Sequence, residues 1–196
     1  MFALLDAPAD TAPPADAGPR PPDGDDAALL ARASRRELPA FELLVRRHQA
    51  GLVRFLEASL GSRADAEDVS QDALLAALRQ ASSFRGRSSV RSWLYAIAKN
   101  AARAFQRSRV RRRAREQAVV RADAGADPSE SWARELLARL PEPFREAVLL
   151  CDVSGFTYEE AAAAMGCPVK TVSSRLFRAR ERMAALLKER DLDHGP

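Results

Sequence analysis

Between Ser92 and Arg113 the apolar residues Leu94, Ile97, Ala98, Ala101 and Phe105 recur at helical spacing, while the positions between them are largely basic. This spacing gathers the apolar set on one stripe of a helix, and that stripe must pack against other elements. The wider stretch 84–113 holds ten basic residues and no acid. Solvated helix faces usually mix charge signs, so a one-signed run of this length points to an anionic partner. Lys99, Arg103 and Arg107 follow one another every four residues on a second face, which can lie along phosphates. Ahead of the helix, Gly86 and a cluster of serines read as a loop, with Ser92 placed to cap a helix from Trp93 onward. Trp93 and Tyr95 have two readings at this point: core aromatics, or flat faces offered to unstacked bases. Loop, aromatic and basic helix together are what single-stranded nucleic acid requires.

The segments around this helix also follow a helical period. Phe41, Leu44, Val45, His48, Leu52, Phe55 and Leu56 form one stripe, on which His48 reads as a satisfied core or boundary histidine. Gly61 ends that helix. Ser62 with Asp65 then starts the next, which runs to about Arg79. On it Asp65, Asp68 and Asp72 share a face with Gln71 beside them. That face is either a solvated surface or a dock for a basic protein.

Charge is unevenly distributed. Residues 1–28 contain six aspartates, one arginine and six of the twelve prolines, which leaves +9 on the other 168 residues of a chain whose net charge is +4. Such a segment lacks the apolar surface needed to offset ordering entropy. A short helix from about Asp25 to Ser34 is compatible with the residues, but the acidic, Pro/Ala-rich tail is set at 1–35 and expected to be flexible. Twenty-eight of the 31 positive residues are arginine, whose planar fork suits phosphate, although a GC-rich genome would also favour arginine codons. Cys151 and Cys167 are too few for a disulfide framework and are expected as buried thiols. No apolar run approaches the length of a membrane span, so no membrane insertion and a cytoplasmic location are expected.

After a stretch without period, 114–130, read as a linker, a second module begins near Ser131. In GFTYEEAAAAMGCPVKTVSSRLFRARERM, Thr157 and Glu160 have capping-box spacing, Gly166 ends that short helix, and Pro168 opens another. Ala162, Gly166 and Val172 stand where a helix-turn-helix needs a small residue, a turn glycine and an inward apolar residue. On the last helix Val172, Leu176, Ala179 and Met183 face inward. Lys170, Ser174 and Arg178 face out, flanked by Ser173, Arg175 and Phe177, with Thr171 beside them. Such a helix can enter a major groove, with arginine reading guanine edges and Ser or Thr contacting phosphate or base.

Enzyme chemistry finds little support. No lysine follows a glycine, neither histidine begins HExxH, and no Cys–His pair is close in sequence. No catalytic residues, metal or cofactor are expected. A polymerase-independent helix-turn-helix regulator would account for the second module alone.

Two stretches, DAEDVSQDALLAAL with FRGRSSVRSWLYAIAKNAARAFQR, and LPEPFREAVLLCDVSGFTYEEAAAAMGCPVKTVSSRLFRARERM, resemble the extracytoplasmic-function sigma factors of bacterial RNA polymerase. The resemblance spans about residues 36–188. It implies an all-α fold of two small helical domains, 36–113 and 131–190, joined by a flexible linker over 114–130. The first corresponds to sigma region 2 and the second to the region 4 helix-turn-helix. It implies that Asp68, Gln71 and Asp72 dock on the polymerase clamp coiled coil. Phe84, Arg85, Arg87, Trp93, Lys99, Asn100, Arg103 and Arg107 would serve the minus-ten element, with a flipped base captured by the loop and the helix that carries Asn100. Lys170, Thr171, Ser173, Ser174, Arg175, Phe177 and Arg178 would serve the minus-thirty-five element, and their module would dock on the polymerase flap. An anti-sigma factor is an implied partner. Ala104 and Ser173 depart from the family pattern, which often has an acid and a base there.

Overall fold

The computed structural model describes residues 23–116 and 128–193, which form two compact units, each built of α-helices. The first contains α1 (Asp23–Ser34), α2 (Leu38–Leu60), α3 (Arg63–Gln80), a 3-10 turn (Ala81–Ser83) and α4 (Val90–Glu116). Small residues on α3, Ala66, Ala73 and Ala77, are almost fully buried and let α2 and α4 pack closely against it. α2 contributes Leu44, Leu52, Phe55 and Leu56 to the core, and α4 contributes Leu94, Tyr95, Ala98 and Ala102. Tyr95 is a core residue, its ring 5.2 Å from that of Phe55. Its hydroxyl approaches α2 so closely that a Cβ at Gly51 would lie 2.7 Å from it. Only glycine accommodates this approach without displacing the buried ring.

The N-terminal expectation needs correction. Residues 23–34 are not part of a tail: α1 packs on α2 and buries Leu29, Leu30 and Ala33. What made the segment look solvated was its acid content, and one of those acids is the anchor. Asp26 is completely buried, hydrogen-bonded to Arg47 at 2.7 Å and to His48 at 2.6 Å. Arg47 also donates to Asp25, and its hydrogen bonds to Asp25 and then to Asp26 raise its guanidinium pKa. α1 closes with the paired Arg36→Ala33 and Glu37→Arg32 backbone bonds of a Schellman turn, which places Arg36 at φ 69°. Residues 1–22 of the expected tail lie outside the described residues.

The second unit contains α5 (Pro128–Arg139), α6 (Glu142–Val148), a π-helical turn (Leu149–Val153), α7 (Tyr158–Met165) and α8 (Val169–Asp193). Phe156, Val172 and Ala179 are fully buried, with Leu149, Leu150, Cys151 and Leu176 nearly so. The capping box at the start of α7 is complete: the Glu160 backbone N–H donates to Thr157 Oγ1 at 3.2 Å, and the Thr157 N–H donates to Glu160 Oε2 at 2.8 Å. Gly166, at φ 67°, ends α7 and allows the turn into α8. Arg180 on α8 reaches back to Asp152 at 3.0 Å, tying α8 to the turn before α7. Burial raises the Asp152 carboxyl pKa, and Arg180 opposes that rise.

The expected linker 114–130 is shorter than its sequence reading, because residues 114–116 belong to α4 and 128–130 to α5. Its remainder, 117–127, lies outside the described residues. Among the described residues no helix is long and apolar enough to cross a membrane.

Candidate nucleic-acid interface

The loop between the 3-10 turn and α4 starts at Phe84, whose N–H donates to Ala81 O at 3.3 Å. Its ring meets Trp93 with centroids 5.4 Å apart and planes tilted by 59°. Both rings are half-buried, so each keeps part of its surface open. Ser89 rather than Ser92 caps α4: the Ser92 N–H donates to Ser89 Oγ at 3.0 Å, while Ser92 is buried. A serine three residues earlier competes for the cap and wins, because it lets Val90 begin the helix and enter the core.

Along the loop and α4, Arg85, Arg87, Asn100 and Arg107 are exposed, and Lys99 and Arg103 half-buried. Not every base of the 84–113 run is committed to an outside partner. The Arg91 guanidinium lies 5.7 Å from the Tyr95 ring centroid, a cation–π distance. Arg109 pairs with Asp65 at 3.3 Å, which joins α4 to α3. That pairing also removes Asp65 from the acidic set on α3, leaving Asp68, Gln71 and Asp72 exposed. Leu75 is 51% exposed and lies three residues beyond Asp72, four beyond Gln71, so it adds an apolar group to the same face. The reading from sequence passed over it because leucine in an amphipathic stretch reads as core. Its offset from the buried positions Ala73, Leu74 and Ala77 was the available signal.

On α8 the division between faces is sharper. Val172, Leu176 and Ala179 are buried, whereas Lys170, Ser174, Phe177 and Arg178 are exposed. Phe177 is 52% exposed, a large apolar surface for a solvent-facing helix position. Thr171, Ser173 and Arg175 are half-buried at the edges of this face. The Arg175 guanidinium turns back to Cys167 Sγ at 3.7 Å, and Ser174 Oγ donates to the Thr171 carbonyl at 3.0 Å. Cys167 is half-buried rather than buried as expected, while Cys151 is buried and its thiol is pushed up to about 12, chiefly by that burial. Among the described residues no cluster of His, Cys, Asp and Glu could hold a metal ion.

Each unit matches a known family. Residues 44–115 match sigma-70 region 2 and residues 131–183 match sigma-70, region 4. The ECF RNA polymerase sigma-E factor of Haemophilus influenzae is 35% identical over 174 residues, covering 80% of this chain and 92% of that protein. Among solved structures, CnrH in complex with the cytosolic domain of CnrY is similar with a TM-score of 0.69 and 28% identity, over 84% of this chain and 98% of CnrH. The sigma factor RpoE of Bartonella quintana, solved with the anti-sigma factor NepR, is similar with a TM-score of 0.63 and 32% identity, over 76% of this chain and 96% of RpoE. Region 2 and region 4 in one chain, aligned along nearly the full length of a curated relative, make this protein a member of the ECF family of RNA polymerase sigma factors.

Proposed function

We propose a division of labour between the two units of this sigma factor. The first unit docks on the polymerase clamp through Asp68, Gln71, Asp72 and Leu75, and holds a base of the opened minus-ten element against Phe84 and Trp93, beside Asn100. Arg85, Arg87, Lys99, Arg103 and Arg107 line the path of the strand's phosphates. The second unit inserts α8 into the duplex minus-thirty-five element, with Arg178 on a guanine edge and Lys170 and Arg175 on phosphates, and docks on the polymerase flap. The protein works in the cytoplasm, where core polymerase and promoter DNA meet, and an anti-sigma factor holds it inactive. CnrH and RpoE, each solved with a bound protein partner, support that last assignment.

The observation that carries this reading is the contrast in what the units expose. An aromatic pair at the head of a one-signed basic helix suits unstacked bases. A helix whose exposed face carries Lys170, Ser174, Phe177 and Arg178 suits a groove. Added to core polymerase, the full chain should start transcription at a promoter that core alone ignores. Asp68→Arg should weaken its affinity for core by about 2 to 5 kcal/mol, the scale for a paired charge buried in an interface, and leave its preference for the minus-thirty-five sequence over altered duplex sequences unchanged. Equal affinity of mutant and wild type for core would remove the docking role from this face.

A further inference from the structure

We propose that Asp26 is a positioning residue for promoter opening: its buried bonds to Arg47 and His48 fix α1, and α1 in turn sets the turn from which Phe84 projects. The inference rests on the reading of Phe84 and Trp93 as a base-capturing pair.

Both carboxylate oxygens of Asp26 are engaged by successive residues of α2, Oδ1 with Arg47 and Oδ2 with His48 Nε2. Asp26 is fully buried and His48 is 4% exposed. α1 has 12 residues, too short to hold itself as a helix in water. Its buried apolar residues Leu29, Leu30 and Ala33 supply adhesion, but hydrophobic contact is non-directional and tolerates rotation or sliding of the helix. A carboxylate held by two charged or ring N–H groups tolerates neither, because any shift leaves buried polar atoms without partners. The lock therefore selects one setting of α1 among several that the apolar contacts alone would allow.

That setting is transmitted a short way. α1 packs on the 3-10 turn Ala81–Ser83 as well as on α2 and α4. Ala81 is buried, and its carbonyl receives the Phe84 N–H. The next contact is the Phe84 ring against Trp93. A displaced α1 moves the root of the loop, and the aromatic pair loses its geometry, while α3, which touches α1 only lightly and is held mainly by α2 and α4, keeps its exposed Asp68, Gln71 and Asp72 in place.

The test uses the full chain with Trp132→Phe, so that Trp93 is the sole fluorophore of its kind. Asp26→Ala should alter acrylamide quenching of Trp93 and lower open-complex formation on a duplex promoter by about tenfold, a partial loss of one stacking contact. Affinity for core polymerase should stay within about twofold, the range of a surface change. If Asp26→Ala fails to fold, His48 carries the test: His48→Leu should reproduce both defects, and His48→Gln, which keeps an N–H for Asp26, should behave like wild type. Wild-type quenching and opening in a folded Asp26→Ala chain, or equal behaviour of the Leu and Gln variants, would overturn the proposal. Phe84→Ala is run in parallel. If it loses opening while Asp26→Ala does not, the positioning role alone falls; if Phe84→Ala itself opens the duplex normally, the base-capture reading falls with everything built on it.

Discussion

The two basic helices of this protein solve different problems with the same periodicity. α4 is a wall of the core shared by α1, α2 and α3, and several of its polar side chains are drawn into the fold: Arg91 lies over Tyr95, Gln106 bonds the Ser59 carbonyl, and Arg109 pairs with Asp65. α8 keeps its two sides apart, Val172, Leu176 and Ala179 inside and Lys170, Ser174 and Arg178 outside. Under the proposed division of labour, the difference follows from the target. An unstacked base must be taken out of water onto an aromatic face, so its reader is half-buried. Base edges in a duplex are already presented in the groove, so their reader must protrude. Substitutions in α4 therefore mix stability with binding, whereas those on the outer face of α8 separate them.

The largest effect that probes this contrast lies in the second core. Phe156 is fully buried, so Phe156→Ala should cost the second unit about 3 to 5 kcal/mol, the range for buried Phe truncation. Below the melting transition, duplex affinity per folded molecule should be unchanged. A loss of affinity in the fully folded state would mean that the core of the second unit and the outer face of α8 are coupled after all. Arg178→Ala should leave melting unaltered and cost about 1 to 3 kcal/mol on the preferred minus-thirty-five sequence, with little loss on altered sequences. Weakening on every sequence, with the slope of log affinity against log salt falling by about 0.9, would move Arg178 to phosphate contact. The smallest effect belongs to the first unit. Arg36 occupies the left-handed position that closes α1, where a side chain is strained, so Arg36→Gly should stabilise the unit by about 0.5 to 1 kcal/mol. Thermal melting reads it directly, and a destabilisation would show that the Arg36 side chain contributes more than its strain costs.

The legible parts of the sequence were those in which one signal has one meaning. Thr157 with Glu160, Gly166 and Pro168 mark the boundaries of α7 and α8, and Val172, Leu176 and Ala179 of the inward set are buried as spacing alone requires, while Met183 is only half-buried. A short helix near α1 was compatible with the sequence, but its packing escaped because its anchor is polar: Asp26 sits among acids that look solvated, and its partners are 21 and 22 residues away. Short-range reading assumes that aspartate faces water, and a carboxylate satisfied by Arg47 and His48 breaks that assumption. The cap of α4 was misassigned for a local reason, since Ser89 and Ser92 are both suitable and only the burial of Val90 decides between them. In the candidate site, spacing separated the faces of α8, but it did not reveal that Phe84 meets Trp93 or that Arg109 takes Asp65 out of the acidic face. Those pairings depend on how helices cross, which a single-helix period does not encode.

The contrast between the two readers is tested most directly by Asn100→Ala and Arg178→Ala, assayed side by side as holoenzymes on a duplex promoter and on the same promoter already melted at the minus-ten element. Both variants should form fewer open complexes on the duplex. Pre-melting should rescue Asn100→Ala, because part of the cost of exposing the base has been removed, and leave the Arg178→Ala defect in place. Equal defects of Asn100→Ala on both templates, or rescue of Arg178→Ala by pre-melting, would contradict the assignment of the opened strand to the first unit and the duplex to the second.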